Sequence, residues 1–229
     1  MDEFAKILDC AKRKKFTDFF DPMRITKYKN TFKNMGILSY DFGGYDTAER
    51  RILGFDIDII PPIVSIYCTY NKKFNTNPSH RDYLGSILGL GIERGKIGDI
   101  CIISDGAVIF VHKDMADYIC MNLQKVGNTP IKTSINEKDI IIDKELETRQ
   151  INISSMRLDA IIGAAFKLSR GIAQELIDAE KVFVNWQIGK KSQLLKEGDN
   201  ITLRGKGRIK IGEIIGKTKK DRLRVEIFQ

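Results

Sequence analysis

The segment SSMRLDAIIGAAFKLSRGIAQELIDAEKVFVNWQIGKKSQLLKEGDNITLR, residues 154–204, determines the architecture of the C-terminal third of the chain. Ser154 and Ser155 are good helix N-caps, and the apolar residues after them recur at the spacing of one helix face: Leu158, Ile161, Ile162, Ala165 and Phe166. Ser169 caps a second helix, whose apolar face consists of Ile172, Ala173, Leu176 and Ile177. The pattern predicts two short helices that pack at a steep angle.

Short strands follow this predicted helix pair. Residues 182–184 alternate as a strand, Asn185 begins a turn, and residues 201–203 return as a second strand after a turn at residues 198–199. The run Arg-Gly-Lys-Gly-Arg at residues 204–208 is a basic loop, whose glycines allow the backbone to approach a phosphate closely.

The charge of the chain is concentrated in the same region. Residues 151–229 hold 16 Lys and Arg against 9 Asp and Glu, whereas the first 150 residues hold 22 against 21. A basic module attached to a near-neutral body is typical of polyanion binding, because each phosphate that a cation neutralises releases counterions. Nucleic acid is therefore the first partner that the sequence indicates.

Residues 154–204 resemble the RNA-binding domain named after small-subunit ribosomal protein S4, the S4 domain. The resemblance rests on these residues: Arg157, Leu158, Asp159, Ser169, Arg170, Ala173, Leu176, Ile177, Val182, Val184, Asn185, Gly198, Asp199 and Ile201. Two positions depart from the pattern, since Glu180 and Trp186 stand where the family has glycine. These departures put the standard turn geometry in question, although not the helix pair.

The S4 resemblance implies a set of RNA contacts on the helix pair and the adjoining loop: Arg157, Ser169, Arg170, Gln174 and Lys181. The basic character of the next loop adds Lys206 and Arg208. An alternative for Arg157 is an ion pair with Asp159 that orients the helices. Trp186 has two interpretations as well, because its ring can stack on an unpaired base or pack over the hairpin to cover apolar residues.

The body of the chain begins with two helical segments, and its pattern changes after Pro62. We predict a strand at 63–67, a helix at 80–90, strands at 100–103 and 108–111, a helix at 115–126 and a strand at 131–135. This order is that of the ferredoxin-like split pattern, which RNA-recognition folds also use. RNA stacking on this sheet would need exposed aromatic residues in its central pair of strands. We predict that strands 100–103 and 108–111 are this pair, and Phe110 is their only aromatic residue.

Several motifs of the body resemble the bacterial YlmH family: TDFFDP at 17–22, FGGY at 42–45 with AER at 48–50, HRDYLG at 80–85, LGI at 90–92 and GDI at 98–100. The resemblance implies an α+β protein with a helical N-terminal segment (residues 1–60), a small α+β domain (residues 61–140) and an S4-type domain (residues 150–229). Polar residues 136–150 are the expected linker. The family further implies a ribosome-associated RNA-binding factor that acts on the large subunit during rescue of stalled nascent chains.

Enzymatic alternatives have less support in the sequence. The tripeptide Arg157-Leu158-Asp159 also occurs in pseudouridine synthases, but there the catalytic Asp lies in a separate large domain. His80 and Arg81 are a possible secondary RNA contact, with helix capping by their neighbours and acid-base chemistry as the alternatives. The four cysteines are widely spaced without a Cys-x-x-Cys pair, so we expect buried thiols and no metal.

We therefore expect a cytoplasmic, non-enzymatic protein that binds structured RNA, namely ribosomal RNA or tRNA, and the large ribosomal subunit. No cofactor and no small-molecule substrate are expected. No membrane is expected either, because the first 20 residues contain no apolar signal and no run approaches the roughly 20 apolar residues that span a bilayer. The alternatives are an RNA-modifying enzyme such as a pseudouridine synthase, and an adaptor linked to cell division.

Overall fold

The computed structural model describes residues 2–73, 77–136 and 147–229. The chain divides into two compact units, Met1–Asp143 and Lys144–Gln229. The predicted segments 1–60 and 61–140 both fall in the first unit. Within the described residues, no helix is long and apolar enough to cross a membrane.

In the residues that the structure describes, the first unit contains four α-helices and seven strands. Its helices are α1 (Glu3–Lys12), α2 (Pro22–Asn34), α3 (His80–Gly89) and α4 (Lys113–Asn122). Its strands are β1 (Tyr40–Phe42), β2 (Ile52–Gly54), β3 (Ile63–Tyr70), β4 (Ile97–Ile103), β5 (Gly106–His112), β6 (Lys125–Val126) and β7 (Thr129–Asn136). The helix predicted at 115–126 ends at Asn122, because residues 125–126 form a short strand that pairs with β7.

A five-stranded antiparallel sheet has the order β4-β5-β3-β7-β6. Without the short β6, this is the strand order of the ferredoxin-like split pattern, so the predicted α+β architecture is confirmed. Alternate residues of β3, Val64, Ile66 and Cys68, lie in one core with Tyr83 and Ile87 of α3. The opposite face of the sheet bears the residues between them.

The helix-free face of this sheet is partly covered by the N-terminal segment. The ring of Tyr45 stacks on that of Phe110 with 4.8 Å between ring centroids, and Phe110 is buried. The aromatic residue that we considered for base stacking is therefore not open to RNA. The central pair of the sheet is β5 and β3, and β3 adds a second aromatic residue, Tyr67, which is half-buried.

Asp99 and Arg50 attach the N-terminal segment to the sheet. The Asp99 carboxylate accepts hydrogen bonds from the Tyr45 hydroxyl at 2.7 Å and from the backbone N–H groups of Glu49 and Arg50 at 2.7 and 3.1 Å. The Arg50 guanidinium donates to three carbonyl oxygens, those of Phe19, Arg94 and Ile97. Burial lowers the pKa of Arg50 to about 10. These family-like motifs therefore have a structural role in the first unit.

Over residues 147–229, the second unit packs two helices on one six-stranded antiparallel sheet. Its helices are α5 (Leu158–Ala165) and α6 (Arg170–Asp178), and its strands are β8 (Thr148–Ile153), β9 (Val182–Val184), β10 (Gln187–Ile188), β11 (Asn200–Leu203), β12 (Gly207–Lys217) and β13 (Leu223–Phe228). The sheet order is β10-β9-β11-β12-β13-β8. Leu158, Ile161 and Ile162 of α5 join Ile209 and Ile211 of β12 in a single core.

The edge strand β8 belongs to the sheet of the second unit. It pairs with β13 over residues 148–153, and the backbones of Glu147 and Gln229 exchange two hydrogen bonds of 3.1 and 3.0 Å. The strand thus starts before residue 150, the predicted start of the C-terminal domain. Of the predicted linker 136–150, residues 137–146 lie outside the described residues.

Candidate nucleic-acid interface

The buried carboxylate of Asp159 organises the N-terminal ends of α5 and α6. Arg157, the N-cap residue of α5, donates from Nε to Oδ1 at 3.0 Å and from Nη2 to Oδ2 at 3.1 Å. Gln174 of α6 donates to Oδ2 at 3.3 Å, and the Ala160 N–H donates to Oδ1 at 3.0 Å. The hydrogen bond from Arg157 is the main cause that lowers the pKa of Asp159 to about 2, against the opposing effect of burial.

Arg170 completes this cluster from the first turn of α6. Its Nε lies 3.5 Å from Asp159 Oδ2, yet 73% of its side chain is exposed, compared with 36% for Arg157. Ser169 caps the helix by accepting the Ile172 N–H at 3.3 Å. Two arginines therefore lie beside the N-termini of two helices, a position that favours phosphate because helix N-terminal N–H groups and the helix dipole attract anions.

Arg157 thus has the role that the sequence left as its alternative, an ion pair that orients the helices. Replacing it with Glu would place two carboxylates against each other, one of them buried, so its reversal would disturb the fold as well as any RNA contact. Arg170 is the better probe of RNA binding, because its side chain is largely in solvent and a Glu side chain at this position can turn away from Asp159.

The other predicted basic residues do not all lie at the N-terminal ends of α5 and α6. Lys181 follows α6 and is exposed, and its carbonyl accepts the Arg204 N–H at 2.9 Å, so the loop with Lys206 begins beside it. Arg208 alternates with the core residue Ile209 and therefore lies on the helix-free face, where its Nε donates to Thr202 Oγ1 at 3.0 Å. The structure brings together Arg157, Ser169, Arg170 and Gln174 at one end of the helix pair, and Lys181 with the 204–206 loop at the end of α6.

Arg204 belongs to the basic run 204–208 and was not among the predicted RNA contacts. Its guanidinium lies 4.9 Å from the ring centroid of Phe183, which holds it over the helix-free face. The signal was present in the sequence as part of the basic run 204–208, but the stacking partner 21 residues earlier becomes visible only through the pairing of β9 with β11.

The two departures from glycine keep the turn geometry. Glu180, just after α6, has φ +53°, and Lys181 N–H returns to the Leu176 carbonyl at 3.0 Å. Asn185 and Trp186 have φ +46° and +63° and connect β9 to β10 as a two-residue hairpin turn. These conformations are costly for residues with a Cβ, so the standard turns are retained with strain instead of being replaced.

Trp186 is half-buried, and its indole Nε1 is buried without a hydrogen-bond partner among the described residues. The buried indole nitrogen indicates that the ring packs over the hairpin and does not stack on an RNA base. We therefore expect little fluorescence quenching of Trp186 when RNA binds. The Trp186→Ala protein should melt at a lower temperature and keep its RNA affinity. Trp186→Gly should be more stable than Trp186→Ala by about 1 kcal/mol, because glycine accepts a positive φ without cost.

Chemical denaturation of the two variants, with RNA titration of each, measures both effects. Strong quenching, or a loss of RNA affinity at unchanged stability in Trp186→Ala, would instead establish that the ring stacks on a base.

His80 and Arg81 lie in the first unit, at the N-terminus of α3, and both are exposed. Their neighbours form a capping box in which Asp82 accepts the Ser79 N–H at 2.8 Å and Ser79 Oγ accepts the Asp82 N–H at 3.4 Å. The side chains of Ser79 and Asp82 therefore cap the N-terminus of α3 without a contribution from the side chains of His80 or Arg81. Across the described residues, no group of three or more His, Cys, Asp or Glu side chains could hold a metal ion.

Comparison with known families agrees with this geometry. The S4 domain model matches residues 156–201, which include the helix pair, and the model described as "Putative RNA-binding domain in YlmH" matches residues 62–140. The fold and these two family models define an RNA-binding protein of the S4-domain class.

"Ribosome-associated protein quality control protein P2" of Bacillus subtilis (strain 168) is 32% identical over 232 residues, which cover 97% of this chain and 90% of the relative. The chain belongs to the YlmH family. A solved structure, "Cell division protein ylmH from Streptococcus pneumoniae", aligns with a TM-score of 0.48 and 23% identity over 58% of this chain and 86% of that one.

Proposed function

We propose that this protein binds structured RNA on the ribosome, through the surface formed by the N-terminal ends of α5 and α6. The observation that carries the proposal is the buried Asp159, which fixes Arg157 and Gln174 and leaves Arg170 largely in solvent. The ribosomal target is supported by the name of the Bacillus subtilis relative, a ribosome-associated quality control protein.

Binding needs two properties that this surface supplies. Cations close to RNA phosphates give affinity through counterion release, which does not depend on base sequence. The fixed position of two packed helices gives selection by shape, which is how proteins recognise most double-stranded RNA. We propose ribosomal RNA and tRNA of the large subunit as the targets and rescue of stalled nascent chains as the process.

The protein acts in this proposal as a binder without catalysis. The Asp of the Arg157-Leu158-Asp159 tripeptide is buried and held by hydrogen bonds from Arg157 and Gln174. A carboxylate in this position cannot approach a base, so a pseudouridine synthase mechanism has no support from the tripeptide.

Sequencing of RNA crosslinked to the protein in cells tests the proposal. We expect large-subunit ribosomal RNA and tRNA, and we expect Arg170→Glu to lower this recovery and to weaken binding to purified bacterial large subunits about tenfold or more at ~0.15 M salt. Lys210→Glu is the matched control, because Lys210 is exposed and alternates with core residues onto the helix-free face.

Recovery of one modified RNA site would favour an RNA-modifying enzyme instead. Recovery of background RNA alone, or equal losses in the Arg170→Glu and Lys210→Glu proteins, would contradict the assigned surface.

A further inference from the structure

The turn between β12 and β13 is a second concentration of positive charge in the C-terminal unit. Residues 217–224 contain five exposed cations and one acid, and the cations are Lys217, Lys219, Lys220, Arg222 and Arg224. Lys217 pairs with Asp221 at 2.8 Å. Within residues 147–229, Lys219, Lys220 and Arg222 have no acidic side chain within ion-pair distance, so their charge is available to a partner.

Hydrogen bonds hold this turn in one conformation. Thr218 donates its N–H to the Arg222 carbonyl at 2.8 Å, and Asp221 donates its N–H to the Thr218 carbonyl at 2.9 Å. The Thr218 hydroxyl also accepts the Arg222 N–H at 3.1 Å. Lys219 and Lys220 are therefore the two central residues of a closed turn, which distinguishes them from charges on a flexible tail.

The cations surround a concave opening of about 320 Å³, which is lined by Asn152, Thr218, Lys219, Lys220 and Arg222. Asn152 is exposed on β8, opposite Arg224 of β13. The residues that line it carry ammonium, guanidinium, amide and hydroxyl groups, and each of these groups can donate a hydrogen bond to an RNA phosphate.

Strand pairing places this turn near the helix-pair surface. Leu223 is paired with Ile153, so their Cα atoms are about 5 Å apart. Arg157 follows Ile153 by four residues, so the Cα atoms of these two residues are at most about 15 Å apart. The Cα atoms of Arg222 and Arg157 are therefore within about 25 Å of each other. One structured RNA can contact both surfaces.

We propose that the β12–β13 turn, together with Asn152, is a second phosphate-binding site for the RNA that the helix pair binds. The proposal rests on the proposed function and extends it to a surface outside the helix pair. The turn contributes affinity through two or three phosphate contacts, and it fixes the direction in which the RNA leaves the helix pair.

The test compares the full-length protein with its Lys219→Ala, Lys220→Ala, Arg222→Ala triple variant. We expect 10- to 100-fold weaker binding to purified bacterial large-subunit ribosomal RNA at ~0.15 M salt, and a salt slope of log K smaller by about 2 to 3. The melting temperature should not change, because the three side chains are exposed.

Two controls isolate the turn. A Lys6→Ala, Lys12→Ala, Lys33→Ala triple variant removes the same charge from exposed positions of α1 and α2, and it should bind as the parent does. A Lys219→Arg, Lys220→Arg variant keeps the charge and should keep the affinity.

Equal losses in the two alanine triple variants, or full affinity in the turn variant, would overturn the proposal. Arg170→Glu separates this failure from failure of the proposed function. If Arg170→Glu weakens RNA binding and the turn variant does not, the helix pair remains the proposed RNA-binding surface and the turn is not a phosphate-binding site. If neither weakens binding, both assignments are wrong.

Discussion

Replacement of Asp159 by Ala is expected to lower the free energy of unfolding of the C-terminal unit by about 3 kcal/mol. The carboxylate is buried and accepts hydrogen bonds from Arg157, from Gln174 and from the Ala160 N–H, so the substitution removes the acceptor of all three. Removal of a negative charge by itself would strengthen RNA binding. We expect weaker binding nevertheless, because Arg157 and Arg170 lose the group that positions them.

Denaturation curves and RNA titrations of Asp159→Ala measure the two effects. Tighter RNA binding by the variant would show that charge alone, and not the position of the arginines, controls affinity.

The pH dependence of stability gives an independent check on the role of the Asp159 carboxylate. The pKa of Asp159 is lowered to about 2 in the folded protein, chiefly by the hydrogen bond from Arg157, against about 3.9 for an unfolded Asp. Its contribution is therefore complete above pH ~4 and is lost as the pH falls toward ~2. In Asp159→Asn this part of the acid dependence should disappear, and an unchanged acid profile would contradict the assigned pKa.

Separation of the two units is expected to leave RNA binding with residues 144–229. This part holds 18 Lys and Arg against 11 Asp and Glu, whereas residues 1–143 hold 20 against 19. We expect residues 1–143 to bind large-subunit ribosomal RNA at least ~100-fold more weakly at ~0.15 M salt, because affinity follows the number of neutralised phosphates. Filter binding of both fragments measures the difference.

The fragment must begin before β8. A fragment that starts at residue 152 lacks most of β8 and is the matched control, since it keeps the helix pair and should be less stable. Comparable affinity of residues 1–143 would place an RNA surface in the first unit, in line with the description of the family model that matches residues 62–140.

The helices and strands were largely predictable from the sequence, because their signals are local. Ser169 and the apolar spacing of α6 lie within a few residues of one another, and the structure has the cap and the helix as predicted. The order of strands and helices in the first unit likewise led to the observed sheet.

The interface was predictable only in part, because its geometry depends on contacts between distant residues. The sequence left Arg157 with two roles, and the burial of Asp159 under α6 supports the ion pair. The same limit applies in the first unit. Tyr45 and Asp99 are 54 residues apart, so neither the FGGY motif nor the GDI motif predicts the hydrogen bond between them. The basic β12–β13 turn was visible as charge, but its distance from the start of α5 is limited by the pairing of β13 with β8, which the sequence did not predict.

The position of β13 between β12 and β8 has a consequence for synthesis of the chain. β8 is translated about 70 residues before the only strand that pairs with it among the described residues, so its backbone N–H and C=O groups remain without sheet partners until β13 has emerged. The sheet that supports the arginines can close only at that late stage. In a nascent copy of this protein the six-stranded sheet is therefore completed only after nearly all of the second unit has left the exit tunnel.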